Sequence, residues 1–183
     1  MCGIVGQFGL SIDEAWVTQE LQNLRHRGPD NQSKLRIHEN LIMGSTRLAM
    51  TDPKPRSNQP MSNDITGSYL TFNGEIYNYK DLRSRLISQG ITFTTESDTE
   101  VLLKWMDVYG ESGIADLNGM FAFALWDKRE KNLHLARDRF GQKPLYYGWI
   151  NDFFFIGSDL DCFLEHNQFK KEINEEAKAK GAA

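Results

Sequence analysis

The sequence predicts an antiparallel α+β domain, and three observations carry that reading. Strand-like segments come in two runs, one before and one after a central pair of helical segments, without the βαβ alternation of a parallel sheet. The 183 residues suffice for one domain that hides roughly 70% of its unfolded surface, so neither a disulfide nor a metal is needed to hold a core. No internal repeat and no linker divides the chain.

Residues 2–10, rich in Gly, Ile, Val and Phe, read as a strand. Ser11-Ile12-Asp13-Glu14 has the S-x-x-E form of a capping box. Trp16, Val17, Leu21 and Leu24 then keep helical spacing up to a stop before Gly28-Pro29. Strands are expected at 34–38 and 41–50, and the proline-containing stretch 51–64 reads as a loop. Asn73-Gly74, between 68–72 and 75–77, carries the signature of a tight hairpin turn. A helix from about Tyr79 ends at Gly90. A second opens at Ser97-Asp98-Thr99-Glu100, another capping box, and carries Val101, Leu102, Trp105 and Met106 towards Gly110. Strands at 120–127, 132–137, 145–149 and 153–156 complete the pattern, the last after an Asn151-Asp152 turn. Residues 170–183 have no apolar stripe beyond Ile173 and read as a solvated tail or the truncated start of further sequence.

Composition removes several function classes. With 21 Lys+Arg against 25 Asp+Glu and a net charge of −4, there is no basic footprint for nucleic acid or anionic lipid. The longest purely apolar run, 120–126, is about a third of a membrane span. The first residues lack the basic region and long apolar stretch of a secretion signal. A cytoplasmic domain without nucleic-acid or membrane partners is expected. Cys2 and Cys162 cannot build a disulfide framework or a Cys-rich zinc site, and His26, His38, His134 and His166 show no ligand spacing, so no metal site is expected.

The two cysteines differ in kind. Cys162, where a strand end enters a helix, reads as a small semi-buried hydrophobe. Cys2 follows the initiator methionine, whose removal leaves a thiol and a free α-amine on one residue. Their unperturbed pKa values are ~8.5 and ~7.7–8.0. At neutral pH part of the amine is therefore unprotonated and able to take the thiol's proton, directly or through a water. The alternative is that Cys2 merely opens an apolar strand.

Separated motifs then make the chemistry specific. Met1-Cys2-Gly3-Ile4-Val5-Gly6 resembles the opening of the class II glutamine amidotransferases, which are N-terminal-nucleophile hydrolases. Arg25-His26-Arg27-Gly28-Pro29-Asp30, Arg47-Leu48-Ala49, Asn73-Gly74-Glu75-Ile76-Tyr77-Asn78 and Ser97-Asp98-Thr99-Glu100 follow in that family's order and at about its spacing. Gly119-Met120-Phe121-Ala122-Phe123-Ala124, then Ala136-Arg137-Asp138-Arg139-Phe140-Gly141 with Lys143-Pro144-Leu145-Tyr146-Tyr147, narrow the likeness. Those two resemble the N-terminal domain of glutamine-dependent asparagine synthetases. The likeness runs from Cys2 to about Leu164, and the domain is expected to span 2–169.

The resemblance implies an N-terminal-nucleophile fold, a four-layer αββα sandwich with two mainly antiparallel sheets. It implies that Cys2 attacks the side-chain amide of glutamine, releasing ammonia and leaving a thioester that water converts to glutamate. The implied oxyanion donors are the Asn73 side chain and the Gly74 N–H. Arg47 would take the substrate carboxylate through a two-pronged guanidinium contact. Asp98 would take the α-ammonium with Glu75 as helper, and backbone groups of Leu48, Ala49, Met50 and Thr51 would form a pocket wall. Arg25, His26 and Arg27 are expected to shape the cleft, and Arg137, Asp138 and Arg139 to form a structural ion-pair network. By position alone Arg47 is a strand residue, Asp98 a cap and Asn73-Gly74 a turn. No cofactor is expected in this domain, since ATP and Mg belong to the synthetase domain that follows it in asparagine synthetases, and no P-loop or GxGxxG occurs here. The implied partners are glutamine and an ATP-dependent synthetase domain or subunit, with a homodimer and the ammonia acceptor left open. Two rival functions are a non-catalytic glutamine-binding or assembly module that retains the fold, and another N-terminal-nucleophile hydrolase such as an acylase.

Overall fold

The computed structural model describes residues 2–164 and 166–170. Met1 and all but the first residue of the expected 170–183 tail lie outside the described residues. Among the described residues nine strands form two sheets in which every strand pairing is antiparallel. The first sheet has the order β2-β3-β1-β9-β8, and the second β4-β5-β6-β7.

In the first sheet β1 (Gly3–Gly9) is central, flanked by β3 (Leu41–Arg47) and β9 (Phe153–Gly157), with β2 (Asn31–His38) and β8 (Tyr146–Ile150) at the edges. Its outer face is covered by α1 (Glu14–Asn23) and the short α4 (Asp161–Leu164). Trp16, Val17, Leu21, Leu24, Phe155 and Phe163 fill that layer. In the second sheet β5 (Ser68–Ile76) and β6 (Gly119–Asp127) are central, between β4 (Met61–Asn63) and β7 (Asn132–Arg137). Helices α2 (Tyr79–Ser88) and α3 (Asp98–Tyr109) cover it, burying Leu82, Leu86, Leu102 and Trp105 against Phe72 and Phe123. Fully burying a side chain of this kind contributes about 1.5–3 kcal/mol. A third apolar layer of Ile4, Leu41, Met43, Ala122, Ala124, Trp126 and Ile156 lies between the sheets. Helix, sheet, sheet and helix thus stack as the expected αββα sandwich.

Strand alternation explains the sharing of apolar residues between layers. Ile4 faces the middle layer, while the next residue, Val5, faces α1. No helix among the described residues is long and apolar enough to cross a membrane.

Four local expectations change. The cap of α1 is Asp13, whose carboxylate accepts from the Trp16 N–H at 2.9 Å, and not the Ser11-to-Glu14 box. Asp13 is itself held by Gln7 Oε1, which accepts its N–H at 2.7 Å, so tertiary contact moves the helix start by two residues. The 51–64 stretch is not all loop, because it holds a 3-10 turn at Pro55–Ser57 and strand β4. Of the Ser97 box, the Ser97 hydroxyl does cap α3 by accepting from Glu100 N–H, but the Glu100 carboxylate turns instead to the Thr94 and Thr95 N–H groups. Most consequential, Asn73-Gly74 is no hairpin turn. Both residues lie inside β5, paired continuously with β6 from Tyr69↔Trp126 to Ile76↔Gly119.

Candidate active site

The site forms where four chain segments end together. Cys2 stands just before β1, and its exit is pinned because Gly3 N–H donates to Thr46 Oγ1 at 3.0 Å and Ile4 N–H to Ser158 Oγ at 2.9 Å. Arg47 ends β3, and Leu48 follows it. Asn73, Gly74 and Glu75 come from the second half of β5, and Asp98 and Thr99 from the first turn of α3. Cys2, Arg47, Leu48, Met50, Asn73, Gly74, Glu75 and Asp98 line one cavity of about 100 Å³, whereas Ala49, also expected in its wall, does not. Thr51, Gln59, Phe72, Thr99, Met120 and Lys143 complete it. Gln59, Thr99 and Lys143 carried no assigned part in the sequence reading. Gln59-Pro60 looked like loop punctuation, and no periodicity marks a side chain whose job is to meet a distant backbone.

The Cys2 Sγ lies 3.9 Å from the Leu48 carbonyl. Burial pushes its thiol pKa up, so the sulfur is held as a thiol at neutral pH and needs a base before it can attack. No histidine lines the cavity.

Asn73 is 0% exposed, yet neither its Nδ2 nor its Oδ1 has a hydrogen-bond partner among the described residues. A buried amide in that condition costs about 1–3 kcal/mol per group, and native proteins seldom tolerate it without use. Gly74 is required by close approach: a Cβ there would sit 2.1 Å from the Met120 carbonyl oxygen and 2.7 Å from Phe121 Cα. A strand residue pressed this hard against β6 can only be glycine.

Asp98 is 3% exposed. Its Oδ1 accepts from Thr51 Oγ1 at 3.1 Å and its Oδ2 from the Ile76 N–H at 3.1 Å. Desolvation outweighs those two donors and pushes the carboxyl pKa up. No cation pairs with it among the described residues, so a buried acidic group with spare lone pairs faces the cavity. Glu75 lies exposed at the cavity rim, close enough to push Asp98 further the same way.

Arg47 is buried, and its guanidinium is largely committed. Nη1 donates to Lys54 O at 3.2 Å and Asn58 Oδ1 at 3.0 Å, and Nη2 to Thr51 O at 3.1 Å and Asp52 O at 2.6 Å. The two-pronged face therefore straps loop 51–58 rather than standing free for a substrate carboxylate as expected, and Nε–H lies outside that strap. The Arg25–Asp30 motif is architectural. Gly28 packs on the Arg47 backbone, where a Cβ would sit 2.4 Å from Arg47 N, and Asp30 Oδ2 accepts from Ala49 N–H at 2.8 Å. Met50 N–H is taken by Leu48 O at 3.1 Å. His26 is exposed and points to Asn23 O, away from the cavity.

The expected Arg137–Asp138–Arg139 ion-pair network is corrected. No ion pair joins these residues among the described ones. Arg137 donates instead to the carbonyls of Lys143 and Gly141. Asp138 accepts four backbone N–H groups, from Phe121, Phe140, Gln142 and Lys143. A turn this tight offers bare amides at close range, and they satisfy the charge better than a long side chain would. A larger cleft of about 760 Å³ lies over β7 and the 3-10 turn Gly110–Asp116. It holds no cysteine, and its one buried acid is this saturated Asp138.

Comparison with known proteins agrees with the geometry. A family model described as glutamine amidotransferase domain matches residues 1–181. The chain is 42% identical over 183 residues to asparagine synthetase [glutamine-hydrolyzing] 1 of Bacillus subtilis (strain 168), covering 97% of this chain and 28% of that protein. It is 42% identical over 154 residues to asparagine synthetase [glutamine-hydrolyzing] 2 of Arabidopsis thaliana, covering 81% of this chain and 26% of that protein. The chain thus spans less than a third of the length of these relatives. In fold it matches the glutamine phosphoribosylpyrophosphate amidotransferase from B. subtilis, with a TM-score of 0.75 at 23% identity over 88% of this chain and 43% of that one. The chain belongs to the glutamine amidotransferase domain family.

Proposed function

We propose that this domain hydrolyses the side-chain amide of glutamine through a thioester on Cys2. The carrying observation is the fully buried Asn73 amide, unpartnered and facing the same cavity as the Cys2 thiol. In this reading Met1 is removed, and the freed α-amine of Cys2 takes the thiol proton, a role that the raised thiol pKa requires and that no cavity histidine supplies. The sulfur attacks Cδ of glutamine, and the carbonyl π pair moves onto oxygen. Asn73 Nδ2–H and Gly74 N–H donate to that oxyanion. As the intermediate collapses the C–N bond breaks, the ammonium of Cys2 returns its proton to the leaving nitrogen, and ammonia departs. Water, giving a proton to the same amine, then attacks the thioester carbonyl and frees glutamate and the thiol.

Recognition of the rest of glutamine follows from charge. The uncompensated Asp98 carboxylate receives the α-ammonium, with Glu75 at the rim. Arg47 supplies positive charge and its Nε–H to the carboxylate, while Leu48 and Met50 wall the cavity. The likeness to glutamine-hydrolysing asparagine synthetases supports a synthetase partner, as domain or subunit, that takes up the ammonia; its use of ATP and Mg, aspartate as the acceptor and a cytoplasmic location are part of the same proposal. Cys2→Ala is expected to abolish glutamate release from glutamine without altering the fold. Undiminished turnover in that variant sinks the mechanism.

A further inference from the structure

We infer that Gln59 is the positioning residue for the backbone half of the oxyanion site, an inference that rests on the thioester reading of Cys2. Strand β5 has a partner on both sides only at its start. On its outer edge β4 pairs with Ser68, Tyr69 and Leu70 and then ends. On its inner edge the ladder to β6 runs on, and the Tyr77 N–H donates to Asn118 O at 2.8 Å just past its end. Backbone groups of an antiparallel strand point alternately to its two neighbours. Counting back from Tyr77, residues 75 and 73 also face β6, so the N–H groups of Phe72, Gly74 and Ile76 face the edge that β4 has vacated.

That row of three is filled selectively. The Phe72 N–H donates to Gln59 Oε1 at 2.6 Å. The Ile76 N–H donates to Asp98 Oδ2 at 3.1 Å. The Gly74 N–H stands between them, on the same edge, facing the cavity. A continuing β4 strand would have occupied all three donors and closed the oxyanion site. A bare edge would have left the Phe72 amide unsatisfied and the strand free to shift. One side-chain acceptor on each side of Gly74 does neither. Gln59 suits this place because it is 3% exposed and held at both ends. Its Nε2 lies 3.5 Å from Thr99 Oγ1, and its backbone carbonyl accepts from the Ser33 hydroxyl. Gln59 thus pins β5 one pleat before the donor, while Asp98 pins it one pleat after, so the same carboxylate that receives the substrate ammonium also holds the oxyanion strand.

The test is steady-state kinetics on the Met1-processed chain for Gln59→Met, which keeps the shape and removes the acceptor, and Gln59→Glu, which keeps an acceptor oxygen. Displacement of reacting groups by about 1 Å costs on the order of 100-fold. Gln59→Met is expected to lose about 10- to 100-fold in kcat with the glutamine KM within about twofold. Inhibition by glutamate γ-semialdehyde, whose thiohemiacetal with Cys2 places an oxygen in the same site, should weaken by the factor lost in kcat. Inhibition by glutamate should stay as in the parent, and Gln59→Glu should recover most of the rate. Wild-type kcat in Gln59→Met overturns the inference, as does a parallel shift of KM, glutamate inhibition and aldehyde inhibition, the mark of a collapsed pocket. Should Gln59→Met fail to fold, Thr99→Ala decides by the same pattern at smaller size. A parent protein that releases no glutamate and forms no aldehyde adduct defeats the thioester reading itself, and so separates the two failures.

Discussion

Asp98 and Asp138 are 3% and 5% exposed, yet their carboxyl pKa values move in opposite directions. At Asp138 burial works against the charge, but four backbone N–H donors outweigh it and hold the pKa below the usual range. At Asp98 burial wins over the Ile76 N–H and the Thr51 hydroxyl, and the pKa rises. The difference is one of unspent acceptors. Asp138 has saturated its oxygens inside a turn and serves the fold, whereas Asp98 keeps capacity for a ligand at some cost to the empty protein. The same contrast separates Asn73, whose amide bonds to none of the described residues, from the Arg137 guanidinium, which bonds to the carbonyls of its own turn. Cys2 faces the cavity, while burial and the Glu20 carboxylate beside it push Cys162 far above the thiol range.

Substitutions can break this contrast. Asn73→Ala is expected to have the largest effect, lowering kcat by about 10²- to 10³-fold, or ~2.7–4 kcal/mol, with little change in KM. Its melting temperature should not fall, because no hydrogen bond is lost, and a large drop would show the amide to be structural. Asp98→Asn comes next. Losing the charge opposite a buried ammonium costs about 2–5 kcal/mol, so KM for glutamine should rise on the order of 100-fold. Asp138→Asn should act on stability instead. It leaves about two N–H groups without acceptors, a loss of about 2 kcal/mol and roughly 5 °C in melting temperature, with KM little changed.

The smallest effect is in pH dependence, and its sign differs between the two sites. A raised native pKa means that the unliganded protein loses stability as pH climbs above the ordinary carboxyl value of 3.8 through the elevated one. A depressed native pKa means that Asp138 contributes stability above 3.8 and loses it as pH falls through the lower value. Relative to the parent, Asp98→Asn should therefore gain stability as pH rises over its window, and Asp138→Asn should gain as pH falls over its own. Denaturant titrations of both variants across pH 2–7 check this.

Much of the architecture was legible because periodicity and burial agree. Helix α3 announces itself through Ser97, an apolar stripe and the terminal Gly110, which sits at φ +57°. What was not legible depended on contacts distant in sequence. Asn73-Gly74 is the strongest short-range hairpin signal, and only the press of β6 on Gly74 overrides it. Strand β4 hides behind prolines, and Gln59 looks like part of a turn until the Phe72 amide arrives to meet it. The candidate site residues could be named because the motif resemblance carries them, and neither charge pattern nor spacing alone would have assembled Cys2, Asn73 and Asp98. The misread ion-pair network shows the same limit, since backbone donors are invisible to side-chain arithmetic.

The most direct measurement is intact-mass analysis with peptide mapping after exposure to a glutamine-like diazo-ketone. The expected result is a single adduct, on Cys2 of chains that have lost Met1, formed more slowly in excess glutamine. An adduct on Cys162, or labelling of Cys2 that glutamine does not slow, contradicts the assignment of Cys2 as the nucleophile of a glutamine site.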